Sequence, residues 1–185
     1  THHVMNDIHK GTKTVADLDS VFAKIKNDYS PTAYFMNFTS NHDENSWNGT
    51  EYERMGEGVE AFTALTYMLP GMPLIYTGQE YDLKHRLKFF EKDSIPKTKA
   101  KMFSLYEKLG ALKNNNKALN GAKKAALFTR IQTSNDKMVM AFLREYKAEK
   151  VMYIGNLSKN PVVFTLAIEG TFTNYLTNKK VTINK

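Results

Sequence analysis

The sequence contains no cysteine. That single absence excludes a disulfide framework, a thiolate metal centre and a cysteine nucleophile. No apolar run comes near the ~20 residues that span a bilayer, and no secretory signal is legible at the start. Because the chain opens on Thr1 rather than methionine, the missing signal decides nothing about compartment. Tryptophan occurs once, at Trp47. Arginine, the usual residue for bidentate contacts to phosphate or guanine, is scarce. The net charge of +7 comes mostly from lysines scattered along the chain, which fits solvated faces better than a nucleic-acid surface. No nucleic-acid partner and no membrane segment are expected.

What is present is the composition of a globular protein, 42% apolar and 24% charged over 185 residues. That length suits one domain, or a small domain with a piece of another. No internal repeat or low-complexity tract interrupts it. Thr14 to Tyr29 reads as an amphipathic helix, with Val15, Leu18, Val21, Phe22 and Ile25 on one stripe. Thr14 and Asp17 form a capping-box variant at its start, and Ser30-Pro31 stops it. "AYFMNF", Ala33 to Phe38, has strand length without alternation, so burial on both faces is expected, the habit of a covered parallel strand. Glu57 to Leu69 reads as a helix with Val59, Phe62, Leu65 and Leu69 inward, closed by Pro70-Gly71. "MPLIYT", Met72 to Thr77, is a second buried strand. Pro96 suits the first turn of a third helix whose stripe is Met102, Leu105, Tyr106, Leu109 and Leu112.

Helix, strand, helix, strand, helix implies parallel βα units. Two parallel strands make no stable sheet alone, so part of that sheet is expected to lie elsewhere. After Leu119 the texture changes to "AALFTRI", "KMVMAFLRE", "KVMYIGNLS", "VVFTLAI" and "TFTNYL", short β-rich runs separated by turn residues. Such spacing predicts an antiparallel sandwich. A boundary is expected near 115–121, with domains over 1–117 and 118–185.

The chemistry concentrates where the first strand ends, in "NFTSNHDENSW". In parallel α/β architectures ligands bind at the carboxyl ends of strands, so polar residues placed there face a site. His42 can donate to hydroxyls, and Asp43 can accept two hydroxyl hydrogen bonds at once. The pair suits a neutral polyol better than a phosphate, which calls for cations or a glycine-rich nest. Trp47 can offer a flat face to a sugar ring. The plainer alternative is a polar turn capping the next helix, with Trp47 as a packing residue.

"YFMNFTSNHDENSWNGT" resembles the fourth signature segment of the α-amylase family of glycoside hydrolases, in which the seventh barrel strand ends in Asn-His-Asp. "ALTYMLPGMPLIYTGQE" is similar to that family's next helix and eighth strand. "YIGNLS" resembles its C-terminal antiparallel domain, and "HHVMNDIHKG" its connection between the sixth and seventh strands. The resemblance implies an α/β plus all-β chain: the C-terminal portion of a (β/α)8 TIM barrel followed by an antiparallel β-sandwich. It assigns Asp43 as the third catalytic acid, binding sugar hydroxyls at the cleavage subsite, with His42, Asn41 and Trp47 as substrate-binding residues.

The family's retaining mechanism also needs an aspartate nucleophile after the fourth strand and a glutamate acid/base after the fifth, ~5–5.5 Å apart. Neither segment occurs in this chain, so the chain alone is expected to be inactive. The expected full-length protein hydrolyses α-1,4-linked glucans such as starch and maltooligosaccharides. Alternatives are an α-glucosidase or transglycosylase of the same family, a non-catalytic amylase-like scaffold, or a sugar-binding β-module at 118–185. His3, Asp7 and His9 follow no zincin spacing, so no metal and no cofactor are expected in this stretch; calcium is admitted in the full-length protein. Gly78, Gln79 and Glu80 are expected to shape the rim rather than touch substrate. A polysaccharide-degrading parent favours a secreted or periplasmic location. Open barrel edges predict self-association.

Overall fold

The computed structural model describes residues 1–184. Helix α1, His2–Lys10, ends at Gly11, whose φ of 79° lets its N–H fold back onto the Ile8 carbonyl at 3.0 Å. Helix α2, Val15–Asp28, begins at the expected place: the Thr14 N–H donates to the Asp17 carboxylate at 2.8 Å. These bonds hold the Asp17 carboxyl below its usual range.

Strands β1 (Met36–Asn37) and β2 (Met72–Pro73) pair in parallel. Between them come α3 (Glu51–Met55) and α4 (Val59–Met68). The expected burial on both strand faces does not hold, because Tyr34, Met36, Met72 and Ile75 are exposed. Two strands with helices on one side leave the other face uncovered. Gly71 has a reason to be glycine here. A Cβ at that position would lie 2.2 Å from the Phe35 carbonyl oxygen, and its φ is +117°, so only glycine permits the close approach of the two strands.

Helix α5, Lys101–Asn115, starts later than Pro96 suggested. The segment carrying Pro96 is irregular, and the helix begins where the Asp82 carboxylate accepts the Met102 N–H at 3.1 Å. A carboxylate from a distant loop replaces the missing local cap. Its stripe is as expected, with Met102, Leu105, Tyr106 and Leu109 buried.

The β-rich part forms β3 (Leu127–Arg130), β4 (Val139–Tyr146) and β5 (Glu149–Asn156) in one antiparallel sheet of order β3-β4-β5. A separate hairpin joins β6 (Gly170–Thr173) to β7 (Lys180–Ile183). "VVFTLAI" pairs only through an isolated bridge, Leu166 to Thr133. The sandwich expected over 118–185, whose last residue lies outside the described ones, is thus represented by one three-stranded sheet and a hairpin.

That sheet is covered by helices. Met140, Phe142 and Tyr153 join the large cluster built by α1, α2, α4 and α5, while Ala141 and Leu143 meet Ile131, Leu166 and Ile168 on the other face. Coverage on both sides explains why "VMAFLR" does not alternate. The cluster runs through the boundary expected near 115–121. Polar ties run the same way. Arg144 donates to the Met68 and Asn120 carbonyls at 2.9 and 2.8 Å, the Tyr153 hydroxyl to Ala61 O at 2.8 Å, and Arg130 to Asp19 at 3.0 Å. Lys113, bonded to the Gly71 and Leu119 carbonyls, is pushed down to about 8 by burial and by the neighbouring Arg144 charge.

Candidate functional site

The chain leaves β1 through buried Thr39 and Ser40 and turns at Asn41. The Asn41 side-chain oxygen accepts the Glu44 N–H at 2.8 Å, and a single π-helical turn follows over Glu44–Asn48. This tight, wide turn sends successive residues in opposite directions. His42 and Asp43 point outward, with side chains 66% and 59% exposed and His42 Nε2 3.6 Å from Asp43 Oδ2. Glu44 points inward. Asn41, expected to bind substrate, uses its side-chain oxygen to hold the turn.

Beneath the exposed pair lies a buried polar layer. Glu44 Oε1 is 3.3 Å from His2 Nε2, and Glu44 Oε2 is 3.5 Å from Arg54 Nη1. Arg54 also donates to the Gly49 carbonyl at 2.9 Å, the Asn6 side chain at 3.3 Å and the Thr39 carbonyl at 2.6 Å. Beside it, Glu51 Oε2 accepts from Thr39 Oγ1 at 2.9 Å and from Gln79 Nε2 at 2.5 Å. Burial is the main cause that pushes the Glu51 carboxyl up. Gln79 therefore ties the end of β2 to the end of β1, and Tyr76 N–H donates back to its Oε1 at 2.6 Å. Glu80 accepts the Gly78 N–H at 3.0 Å.

His3, Asp7 and His9 do not gather around one point. The structure instead brings His2, His3 and Glu44 together, with three ligand atoms within 4.8 Å of one another. The Arg54 guanidinium already supplies the positive charge opposite Glu44, and a divalent ion would have to be held against it. Burial and His3 lower His2 to about 4, so this imidazole is neutral at physiological pH.

Trp47 stands outside, 57% exposed rather than packed inward. Its ring centroid lies 5.2 Å from that of Phe89 and 6.2 Å from that of Phe90, and Phe89 lies 5.9 Å from His42. The two phenylalanines come from the loop after β2. Leu87, buried between, pins that loop to the π-helical turn: its N–H donates to Asn45 Oδ1 at 2.7 Å and its carbonyl accepts from Ser46 Oγ at 2.7 Å. Phe89 and Phe90 carry no motif. The legible signal is an aromatic pair set among charges, "KHRLKFFEKD". His85 and Arg86 face Asp93 and Glu53, and Asp82 accepts from the Tyr52 hydroxyl at 2.5 Å. A hollow of about 1000 Å3 is lined by Tyr34, Met72, Ile75 and Lys113 among others, with no residue of the 41–47 segment.

No protein-family model matches the chain. The α-amylase MalA of Haloarcula japonica is 23% identical over 167 residues, which are 90% of this chain and 24% of that protein. A noncanonic maltogenic α-amylase, AmyB of Thermotoga neapolitana, superposes with a TM-score of 0.80 at 19% identity, over 96% of this chain and 43% of that one. An α-amylase of Lactobacillus plantarum gives 0.78 at 20% identity, over 99% and 42%. The chain has the fold of part of an α-amylase. It spans about a quarter of the curated amylase it matches and about two fifths of these solved amylase chains. Among the described residues, no helix is long and apolar enough to cross a membrane.

Proposed function

We propose that this chain is the closing part of a retaining glycoside hydrolase acting on α-1,4-linked glucans. On this reading β1 and β2 are the seventh and eighth strands of a (β/α)8 barrel, and residues from 118 onward form the domain that follows it. The observation that carries it is the outward placement of His42 and Asp43 at the carboxyl end of a parallel strand, where barrel enzymes build their sites. Asp43 accepts hydrogen bonds from two hydroxyls of one sugar and favours the flattened, cation-like ring. His42 donates to the same sugar. The nucleophile and the acid/base are supplied from outside these residues, so the chain by itself hydrolyses no starch.

The test is Asp43→Asn in the full-length protein, assayed on maltooligosaccharides. The carboxylate's added hydrogen-bond strength is realised in the transition state, so kcat falls much more than KM rises. His42→Ala does less damage. An unchanged kcat with a raised KM would make Asp43 an ordinary sugar ligand and remove the proposed role.

The exposure of Met36 and Met72 on the two strands, and of Tyr34 and Ile75 beside them, supports a further part of the proposal: the separate chain associates with itself. Open strand edges offer unpaired N–H and C=O groups to another strand. Light scattering over a dilution series decides this, and a stable monomer at low micromolar concentration would refute it.

A further inference from the structure

Leu87 is held by both of its backbone polar groups to the turn that follows Asp43. Its N–H donates to Asn45 Oδ1 and its carbonyl accepts from Ser46 Oγ, each at 2.7 Å. A residue paired in a sheet is held through the same two groups. Here two side chains do the holding, from 42 and 41 residues earlier in the chain. Asn45 and Leu87 are buried, so water competes little for these bonds.

The turn is of a kind that needs such support. Glu44–Asn48 is a single π-helical turn with Asp43 at its N-terminus, and such turns are rare and recur at functional sites. The Asn41 side chain fixes its start by accepting the Glu44 N–H. The clasp on Leu87 fixes its middle. Two further ties join the same loop to α3: Arg86 donates to Glu53 at 3.1 Å, and the Tyr52 hydroxyl to Asp82 at 2.5 Å. These anchor the loop without touching the turn.

We propose that Asn45 and Ser46 are positioning residues for Asp43: by clasping the backbone of Leu87 they keep the turn π-helical, and so fix the direction in which the Asp43 carboxylate leaves the end of β1. The i→i+5 bonds of a π-helical turn enclose a wider ring than the bonds of an α-helix. A turn that relaxes to the tighter form rotates its residues against the strand that feeds it. The loop after β2 thereby shares in setting the site at the end of β1. Misplacing a reacting group by ~1 Å can cost ~100-fold in rate, so a pair of hydrogen bonds outside the chemistry can govern turnover. This inference rests on the reading of Asp43 as a catalytic acid.

The test is steady-state kinetics of the full-length protein on maltohexaose. Ser46→Ala removes one hydroxyl from a half-buried position, and Asn45→Leu replaces the acceptor by an apolar group of similar size. Each is expected to lower kcat about tenfold or more with KM changed by less than ~threefold, since substrate still binds while the carboxylate is misaimed. Ser46→Thr keeps the hydroxyl and recovers most of the rate. Trp47, the only tryptophan, follows Ser46 in sequence and lies 5.2 Å from the Phe89 ring. Opening the clasp should therefore shift tryptophan emission in Ser46→Ala and not in Ser46→Thr. Arg86→Ala, which loosens the loop away from the turn, leaves kcat unchanged.

If Asp43→Asn lowers kcat while Ser46→Ala and Asn45→Leu do not, the clasp has no part in aiming the carboxylate, and the inference falls while the role of Asp43 stands. If Asp43→Asn leaves kcat unchanged, both fall. A loss of kcat shared by Ser46→Thr or by Arg86→Ala would assign the effect to the loop as a whole and overturn the positioning role. A Ser46→Ala protein unfolded at the assay temperature would make the clasp a determinant of folding and overturn it as well.

Discussion

Asp43 stands more than half exposed, and Glu44, the next residue, is almost wholly buried. These neighbours belong to two layers built on opposite terms. The outer layer, with His42, Asp43, Trp47, Phe89 and Phe90, leaves its polar groups and ring faces uncommitted. The inner layer, with Glu44, Glu51, Arg54, Thr39 and Gln79, turns most of its polar groups on one another, leaving Glu51 Oε1 without a hydrogen bond and Glu44 Oε2 with only its ion-pair contact to Arg54. A site residue must be free to meet a ligand, and its position must nonetheless be fixed. The π-helical turn satisfies both needs by giving the two tasks to adjacent residues. Substitutions should therefore separate: inner changes reach stability, and outer ones reach binding.

The largest expected effect is in the inner layer. Arg54→Ala removes the guanidinium beside Glu44 and three hydrogen bonds from one buried point. Breaking a buried ion pair while its partner stays costs ~3–5 kcal/mol. Urea unfolding followed by circular dichroism measures it. A loss below ~1 kcal/mol would mean that the layer is not closed to water, since exposed pairs contribute on that scale.

Glu51 sharpens the comparison through pH. Burial raises its folded-state carboxyl, so the unfolded chain releases this proton first. The favourable contribution is present below the unfolded value of ~4.3 and is lost as pH rises toward the raised folded value. Glu51→Gln keeps an oxygen to accept from Thr39 and Gln79 but cannot ionise. Between about pH 4 and neutrality, the difference in urea midpoint between variant and unaltered chain should move in favour of the variant as pH rises. A difference constant with pH would show that Glu51 ionises as freely folded as unfolded.

How much of this was legible in the sequence follows the same division. Local signals gave α2, α4 and the stripe of α5, because amphipathic spacing and the Thr14–Asp17 cap act within a few residues. The outward placement of His42 and Asp43 was legible from strand-end logic and from the family resemblance. The inner layer was not. Arg54 reaches Asn6 across 48 residues and Gln79 reaches Thr39 across 40, and no local period encodes such pairs. The start of α5 was misplaced for the same reason, its cap being Asp82. The strands were expected to be buried on both faces because their sequences are apolar throughout. Exposure of Met36 and Met72 reflects what packs on the sheet, which residues 33–38 and 72–77 cannot announce.

A smaller effect is expected at the border of the two layers. Arg86 donates two hydrogen bonds of 3.1 Å to Glu53, both groups about half exposed. This pairing, with the Thr50 N–H, holds the Glu53 carboxyl at about 2. Its contribution is present above the ordinary carboxylate range and is lost as pH falls toward about 2. Solvent screening keeps that contribution small. A double-mutant cycle with Arg86→Ala and Glu53→Ala should return a weak coupling that shrinks with added salt. A larger, salt-insensitive coupling would place the pair with the inner layer.

The smallest expected change in stability is at Asp43. The His42 imidazole lies 3.6 Å from it, beyond a hydrogen bond, and both side chains are mostly in water. The Asn41–Glu44 bond that shapes the turn does not involve it. Asp43→Asn should therefore alter unfolding by no more than ~0.5 kcal/mol, the usual range for surface substitutions, in the same protein where Arg54→Ala is severe. Thermal unfolding of the two variants side by side makes the contrast direct. If Asp43→Asn destabilised the chain by more than ~1 kcal/mol, its carboxylate would be holding the turn. A loss of kcat in the full-length variant would then report a displaced turn and not a missing sugar contact. A neutral result leaves the carboxylate free for a ligand, which is the condition the proposed role in catalysis requires.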